Sequence, residues 1–287
     1  MLGIAGTVPD KDFPQVCGSV SVSGNHLCIR EHFVPINRGT PALAAAAVKT
    51  CEMLKIAPPL AFLVGDTGMG QGSRELYAFL EKNIRDFHLH TLVFHYLQPD
   101  ADWHNRVLFQ IQDMPEKPVL IADAGFMYAA KMSGQAPEYD LFTPDVGELA
   151  FLADEDAPHP FYTRGFILHE ENQASELIAR AYRHDNAAKY LLVKGRKDYV
   201  VQAGRTLEII DSPQTEALEA IGGTGDTLTG IVSALIASGR EIAAAACAAA
   251  RINRVAGSLT CPTPASCVTE IIAKIPEAFS AVMESEI

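Results

Sequence analysis

Ile221-Gly222-Gly223-Thr224-Gly225-Asp226-Thr227-Leu228-Thr229-Gly230-Ile231 sets three glycines directly before a stretch of helical apolar spacing. Glycine lets the backbone turn sharply and present several N–H groups in one direction. The first N–H groups of a helix have no partner inside it, and the helix dipole favours negative charge there. Together these make an anion site suited to a phosphate, with Asp226 in the first helical turn beside whatever the phosphate approaches. The bare pattern has a second reading, in which the glycines form a tight turn and Asp226 only caps the helix.

Working outward, short apolar runs alternate with amphipathic stretches. Leu60–Val64, Thr91–Phe94, Pro118–Ala122, Leu141–Thr143 and Tyr190–Val193 read as buried strands. Between them, 73–87, 103–113, 126–132, 146–153 and 171–184 read as helices. This alternation predicts an α/β fold with a central, mostly parallel sheet covered by helices on both faces. Ligands in such sheets bind at the carboxyl ends of the strands, so the loops after Val64, Ala122, Thr143 and Val193 carry most weight. Tyr199–Val201 and Thr206–Ile210 flank Ala203-Gly204-Arg205 as a hairpin. Helices follow over 225–237, 241–259 and 268–284. In the first 58 residues only 40–54 reads clearly, as a helix with Pro41 in its first turn.

The run Gly223 to Ile231 resembles the signature of the NAD(P)H-hydrate dehydratases, a branch of the ribokinase-like superfamily. Leu192-Val193-Lys194-Gly195, Thr143-Pro144-Asp145-Val146-Gly147-Glu148, Ile121-Ala122-Asp123-Ala124 and Gly68-Met69-Gly70 resemble further elements of that family, in the same order. The likeness covers roughly residues 60 to 260 and implies one ribokinase-like domain over 1–287. It implies ATP or ADP as co-substrate and Mg²⁺ as cofactor. The implied reaction phosphorylates the hydroxyl of hydrated NADH or NADPH, then expels phosphate. Asp226 is the implied catalytic base. Lys194, Gly195, Arg196, Lys197, Asp198, Gly223, Thr224 and Gly225 are the implied nucleotide contacts. Gly70, Asp145 and Asp226 face the substrate, and Asp145 with Glu148 are candidate Mg²⁺ ligands. The implied partners are nucleotide, a small-molecule substrate and further copies of the chain.

Several positions also have plainer readings. Lys194 suits a strand end reaching solvent, and the i, i+3 pair Asp145/Glu148 suits a helix cap. The chain departs from the family where Asp145 replaces a histidine, where Ile121 replaces an aspartate, and where Arg38-Gly39-Thr40-Pro41-Ala42 stands for its early glycine elements. An acid at 145 pointing into the cleft repels a substrate phosphate by about 4 kcal/mol at about 4 Å and an effective dielectric near 20. Hence the expectation that the chain binds Mg²⁺ there or acts on another substrate. Two alternatives stay open: a ribokinase-like kinase of a sugar, vitamin or other small alcohol, and a degenerate nucleotide-binding protein. Ala220 and Gly-Thr-Gly-Asp differ from the sugar-kinase pattern.

Two other signals are rejected. Gly65 to Ser73 has Gln71 where a P-loop needs lysine, and is read instead as a glycine-rich turn at the substrate cleft. His88, His90 and His95 flank a strand and read as partly exposed sheet residues. Of the 287 residues 48% are hydrophobic, enough for a sizeable core. The net charge of −12 excludes nucleic acid as the main partner. Six scattered cysteines without a CxxC pair, no signal-peptide pattern and no long apolar run predict a reduced, cytoplasmic chain without a membrane span.

Overall fold

A computed structural model describes residues 1–157 and 174–285. The N-terminal segment supplies β1 (Leu2–Val8), β2 (Val16–Ser23), β3 (His26–Ile29), β4 (His32–Pro35) and α1 (Thr40–Leu54). The alternating part runs β5 (Leu60–Gly65), α2 (Gln71–Asn83), β6 (Thr91–His95), α3 (Ala101–Gln112), β7 (Val119–Ala122), α4 (Gly125–Met132), β8 (Leu141–Phe142), α5 (Val146–Ala153), α6 (Ala174–Arg183) and β9 (Tyr190–Val193). The hairpin β10 (Asp198–Gln202) and β11 (Arg205–Ile210) precedes α7 (Thr224–Ala237), α8 (Ile242–Leu259) and α9 (Val268–Ser285). Residues 171–173, where the sequence reading began α6, lie outside the described residues.

These strands form one sheet in the order β11-β10-β9-β8-β7-β6-β1-β5-β2-β3-β4. The stretch from β9 to β5 is parallel throughout. Antiparallel strands extend it at both ends. Strand residues alternate between two cores, as the pleat requires. Ile4, Leu63, Val93, Ile121 and Leu192 pack with α1, α7, α8 and α9. Ala5, Phe62, Phe94, Ala122 and Val193 pack with α2 to α6 on the opposite face.

β1 departs from the sequence expectation, which gave no strand in this segment. It lies in the middle of the parallel stretch, buried along its whole length, yet its sequence, LGIAGTV, has two glycines and little strand propensity. Close packing explains the glycine at position 6. A side chain there would begin 2.5 Å from Thr40 Oγ1 and 2.6 Å from the His95 carbonyl. Gly230 has a similar role on α7, where a methyl group would collide with the carbonyl oxygen of Leu43 on α1. These two contacts seat the N-termini of α1 and α7 over the carboxyl ends of β1 and β6.

Candidate functional site

Gly223 adopts φ +100° and is the N-cap of α7, without a side-chain cap. Behind it, the N–H groups of Thr224, Gly225 and Asp226 have no acceptor among the described residues. The cradle is held from α8. Asn253 donates to the Thr224 carbonyl at 3.0 Å and accepts from Thr227 Oγ1 at 2.7 Å. Arg38 is exposed and runs along the glycines, its Cδ 3.6 Å from where a side chain on Gly222 would begin.

Asp226 turns from the cradle into a buried cluster. Its Oδ2 accepts from Gly39 N–H at 2.6 Å, at the N-terminus of α1. Its Oδ1 lies 3.1 Å from His95 Nε2, at the end of β6. Burial favours the neutral acid, but the bond from His95, the Lys194 charge and the Gly39 N–H outweigh it. They hold Asp226 below the ordinary carboxylate range. Asp226 is thus an anion at neutral pH, with its side chain 12% exposed.

Asp123, at the end of β7, is fully engaged. Lys194 Nζ lies 2.9 Å from each of its oxygens, Thr229 Oγ1 donates at 2.6 Å, and Ala124 N–H donates at 2.8 Å. Thr143 Oγ1 lies 3.0 Å from Thr229 Oγ1. Lys194 therefore does not reach solvent; it is clamped to Asp123 beside the first turn of α7. Its Nζ lies 3.5 Å from where a side chain on Gly225 would begin. Burial disfavours the ammonium, yet Asp123 and Glu148 raise Lys194 above the ordinary lysine value. His95, Asp123 and Asp226 bring one ligand atom each within 4.8 Å of one another. The Lys194 ammonium already supplies the positive charge that such a group of acids calls for.

Asp145 and Glu148 form a capping box at the start of α5. Asp145 accepts from Glu148 N–H at 2.7 Å, and Glu148 accepts from Asp145 N–H at 2.8 Å. The pair lies beside Lys194, whose N–H donates to the Pro144 carbonyl. Desolvation pushes the half-buried Glu148 up to about 8; Lys194 opposes this, and Asp123 and Asp145 add to it.

Two of the implied contacts are engaged inside the protein. Asp198 is buried and turned inward, accepting from Arg254 Nε at 2.7 Å and Gly195 N–H at 3.1 Å. Arg254 also donates to the carbonyls of Gly195 and Arg196, so one α8 residue fixes the loop that carries Gly195, Arg196 and Lys197. Gly70 sits in a turn wrapped on Asp66, which accepts from the N–H groups of Gly68, Gly70 and Ser73 and from Ser73 Oγ. The loop after Val64 thus satisfies its own donors with an internal anion. Gly70 offers no free N–H to a ligand.

His95 was missed. His88 and His90 are exposed as expected, whereas His95 is fully buried at the heart of the cluster. A histidine closing an apolar strand, TLVFH, at the carboxyl edge of a parallel sheet was the available signal. Tyr96, next to it, is half-exposed at φ +54° and anchored by Thr7 Oγ1, which donates to its carbonyl.

The NAD(P)H-hydrate dehydratase family model matches residues 99–276, which carry Asp123, Asp145, Glu148, Lys194 and the α7 cradle. The chain belongs to the NAD(P)H-hydrate dehydratase family. Among its relatives is an uncharacterized protein of Methanocaldococcus jannaschii, 39% identical over 83% of this chain and 98% of that protein. An ADP-dependent (S)-NAD(P)H-hydrate dehydratase of Cenarchaeum symbiosum is 31% identical over 47% of this chain. A bifunctional NAD(P)H-hydrate repair enzyme of Hyperthermus butylicus is 35% identical over 39%. The matches span 42% and 20% of those two proteins. Ribokinase-like solved structures share the fold. A mutant phosphofructokinase-2 of Escherichia coli superposes with a TM-score of 0.59 at 14% identity, over 97% of this chain and 99% of that one. A ribokinase-like superfamily protein of Enterococcus faecalis gives 0.58 at 15%, over 98% and 87%. Gly39, Thr40, Gly70 and His95 lie outside the residues matched to the family. No helix among the described residues is long and apolar enough to cross a membrane.

Proposed function

We propose that the protein is an ATP- or ADP-dependent NAD(P)H-hydrate dehydratase that works by phosphoryl transfer. The observation that carries this reading is the juxtaposition on the first turn of α7. Acceptor-free N–H groups and an ionised aspartate stand side by side. The N–H groups of Thr224 and Gly225 would receive the transferring phosphoryl group, with Arg38 and Lys194 adding positive charge. Asp226 would take the proton of the substrate hydroxyl as its oxygen attacks phosphorus and the nucleotide leaves one phosphate shorter. Loss of phosphate from the phosphorylated hydrate, with a proton from the neighbouring carbon, then restores the nicotinamide ring. Family membership supports the choice of substrate, and the name of the Cenarchaeum relative supports ADP as one nucleotide to test.

Mg²⁺ fits the pair at the start of α5. Each carboxyl spends one oxygen on the capping box and keeps the other, and Mg²⁺ binding would displace the Glu148 proton to give two hard donors beside Lys194. Asp145 and Glu148 would hold the ion, which would neutralise phosphate charge when bound. Asp145→His is then expected to raise the Mg²⁺ concentration needed for half-maximal turnover. It should also lower stability by about 1 kcal/mol through loss of the cap. Metal-independent turnover of hydrated NADPH, equal in both proteins, would reduce Asp145 to a helix cap.

The overall reading is tested by incubating hydrated NADH or NADPH with ATP and with ADP, and following return of the reduced dinucleotide. Restoration with either nucleotide is expected. No restoration, together with phosphorylation of a sugar or vitamin alcohol, would replace this reading with a kinase.

A further inference from the structure

The Thr40 hydroxyl is fully buried, and its one partner among the described residues is His95 Nδ1, at 3.0 Å. A buried hydroxyl hydrogen needs an acceptor. Thr40 therefore donates, and Nδ1 accepts. That assigns the proton of the ring to Nε2, which faces Asp226 Oδ1 at 3.1 Å. Asp123 Oδ2, 3.7 Å from the same nitrogen, is beyond hydrogen-bond reach. The hydrogen bonds thus run one way, from Thr40 through His95 to Asp226.

Both donors stand on rigid backbone. His95 ends β6 and pairs with Gly6 of β1, and Thr40 is the first residue of α1. The absence of a side chain at Gly6 makes room for this junction. With Gly39 N–H on the other oxygen, the carboxylate is held at both ends.

We infer that His95 is a positioning residue for Asp226, its tautomer set by Thr40. It fixes the carboxylate as a proton acceptor beside the cradle and does not take the proton onward. The proton removed from a substrate hydroxyl stays on Asp226, because passing it to His95 would require both bonds of the chain to reverse. It leaves with the departing phosphate, which restores the carboxylate. His95 and Thr40 lie outside the residues matched to the family, so family membership does not assign this role. The inference rests on the proposed reaction for its kinetic consequence, but not for the tautomer.

The test has two arms. In the first, ¹⁵N NMR of the imidazole is expected to show His95 with a protonated Nε2 and a bare Nδ1. Thr40→Val should remove that preference. A protonated Nδ1 in the wild type would overturn the inference whatever reaction the protein performs. In the second, turnover and nucleotide affinity are compared in the wild type, His95→Leu and His95→Gln. His95→Leu is expected to lower kcat by up to about 100-fold, the scale of a misplaced reacting group, with the nucleotide Kd within a few-fold. His95→Gln, whose amide can donate to the same oxygen, should recover most of the loss. Equal losses in both variants, or wild-type kcat in His95→Leu, would make His95 a packing residue. An inactive wild type with the expected NMR signature would locate the failure in the proposed reaction.

Discussion

Asp226→Asn is expected to lower turnover by a factor of about 10²–10⁴, the usual contribution of a general base, while nucleotide affinity stays within a few-fold. The cradle consists of backbone N–H groups, which this substitution leaves in place. An amide cannot hold a proton at neutral pH, so the hydroxyl would attack without its acceptor. The structure adds a second effect. Asp226 accepts from Gly39 N–H through one oxygen and faces the His95 Nε2–H with the other. An asparagine can accept through one oxygen only, so its NH₂ must face one of these donors. A donor left without an acceptor in a buried site costs about 1–3 kcal/mol. The pH dependence of stability should change in a defined direction. Folding lowers Asp226, so its contribution is present above the unfolded carboxylate value and lost as pH falls through the lower folded one. The asparagine variant should lack that acid-side loss. Normal turnover in a folded variant would remove Asp226 from the chemistry.

The largest loss of stability is expected from Asp123→Ala. Asp123 is 1% exposed and binds Lys194 through both oxygens. Its removal leaves a buried ammonium without its hydrogen-bonded carboxylate, a change worth about 3–5 kcal/mol. The melting temperature should fall by about 6–20 °C, from about 2–4 °C per kcal/mol for a chain approaching this size. Thr229 loses its acceptor as well. A double mutant, Asp123→Ala with Lys194→Met, should lose less than the sum of the single changes, because the charge left unpaired has gone too. Additive losses, or an Asp123→Ala protein as stable as wild type, would show that the pair does not anchor the cluster.

The sheet and its parallel core were legible because buried strands of this kind are near-continuous apolar runs. β1 was not, because its glycines at 3 and 6 answer to neighbours far along the chain rather than to strand propensity. The cradle was legible since glycine freedom and a helix N-terminus are local properties. What surrounds it was not. Gly39 meets Asp226 across 187 positions and His95 meets it across 131, and neither contact leaves a periodic trace. Asp145 and Glu148 were readable both as a cap and as a ligand pair, and the capping box realises the first without consuming the oxygens needed for the second. The glycine-rich turn at Gly68–Gly70 closes on an anion of its own loop, Asp66, which glycine content alone does not disclose. The inward engagement of Asp198 was not legible, because its partner, Arg254, comes from α8, 56 positions away.

The central claim is that phosphoryl transfer at the α7 cradle drives dehydration. Orthophosphate release and recovery of the reduced dinucleotide, followed together on hydrated NADPH, test it most directly. The account predicts that the two products appear in equal amounts, in the presence of ATP or ADP and not in its absence. A phosphorylated alcohol that accumulates without ring restoration, or restoration that proceeds without nucleotide, would contradict it.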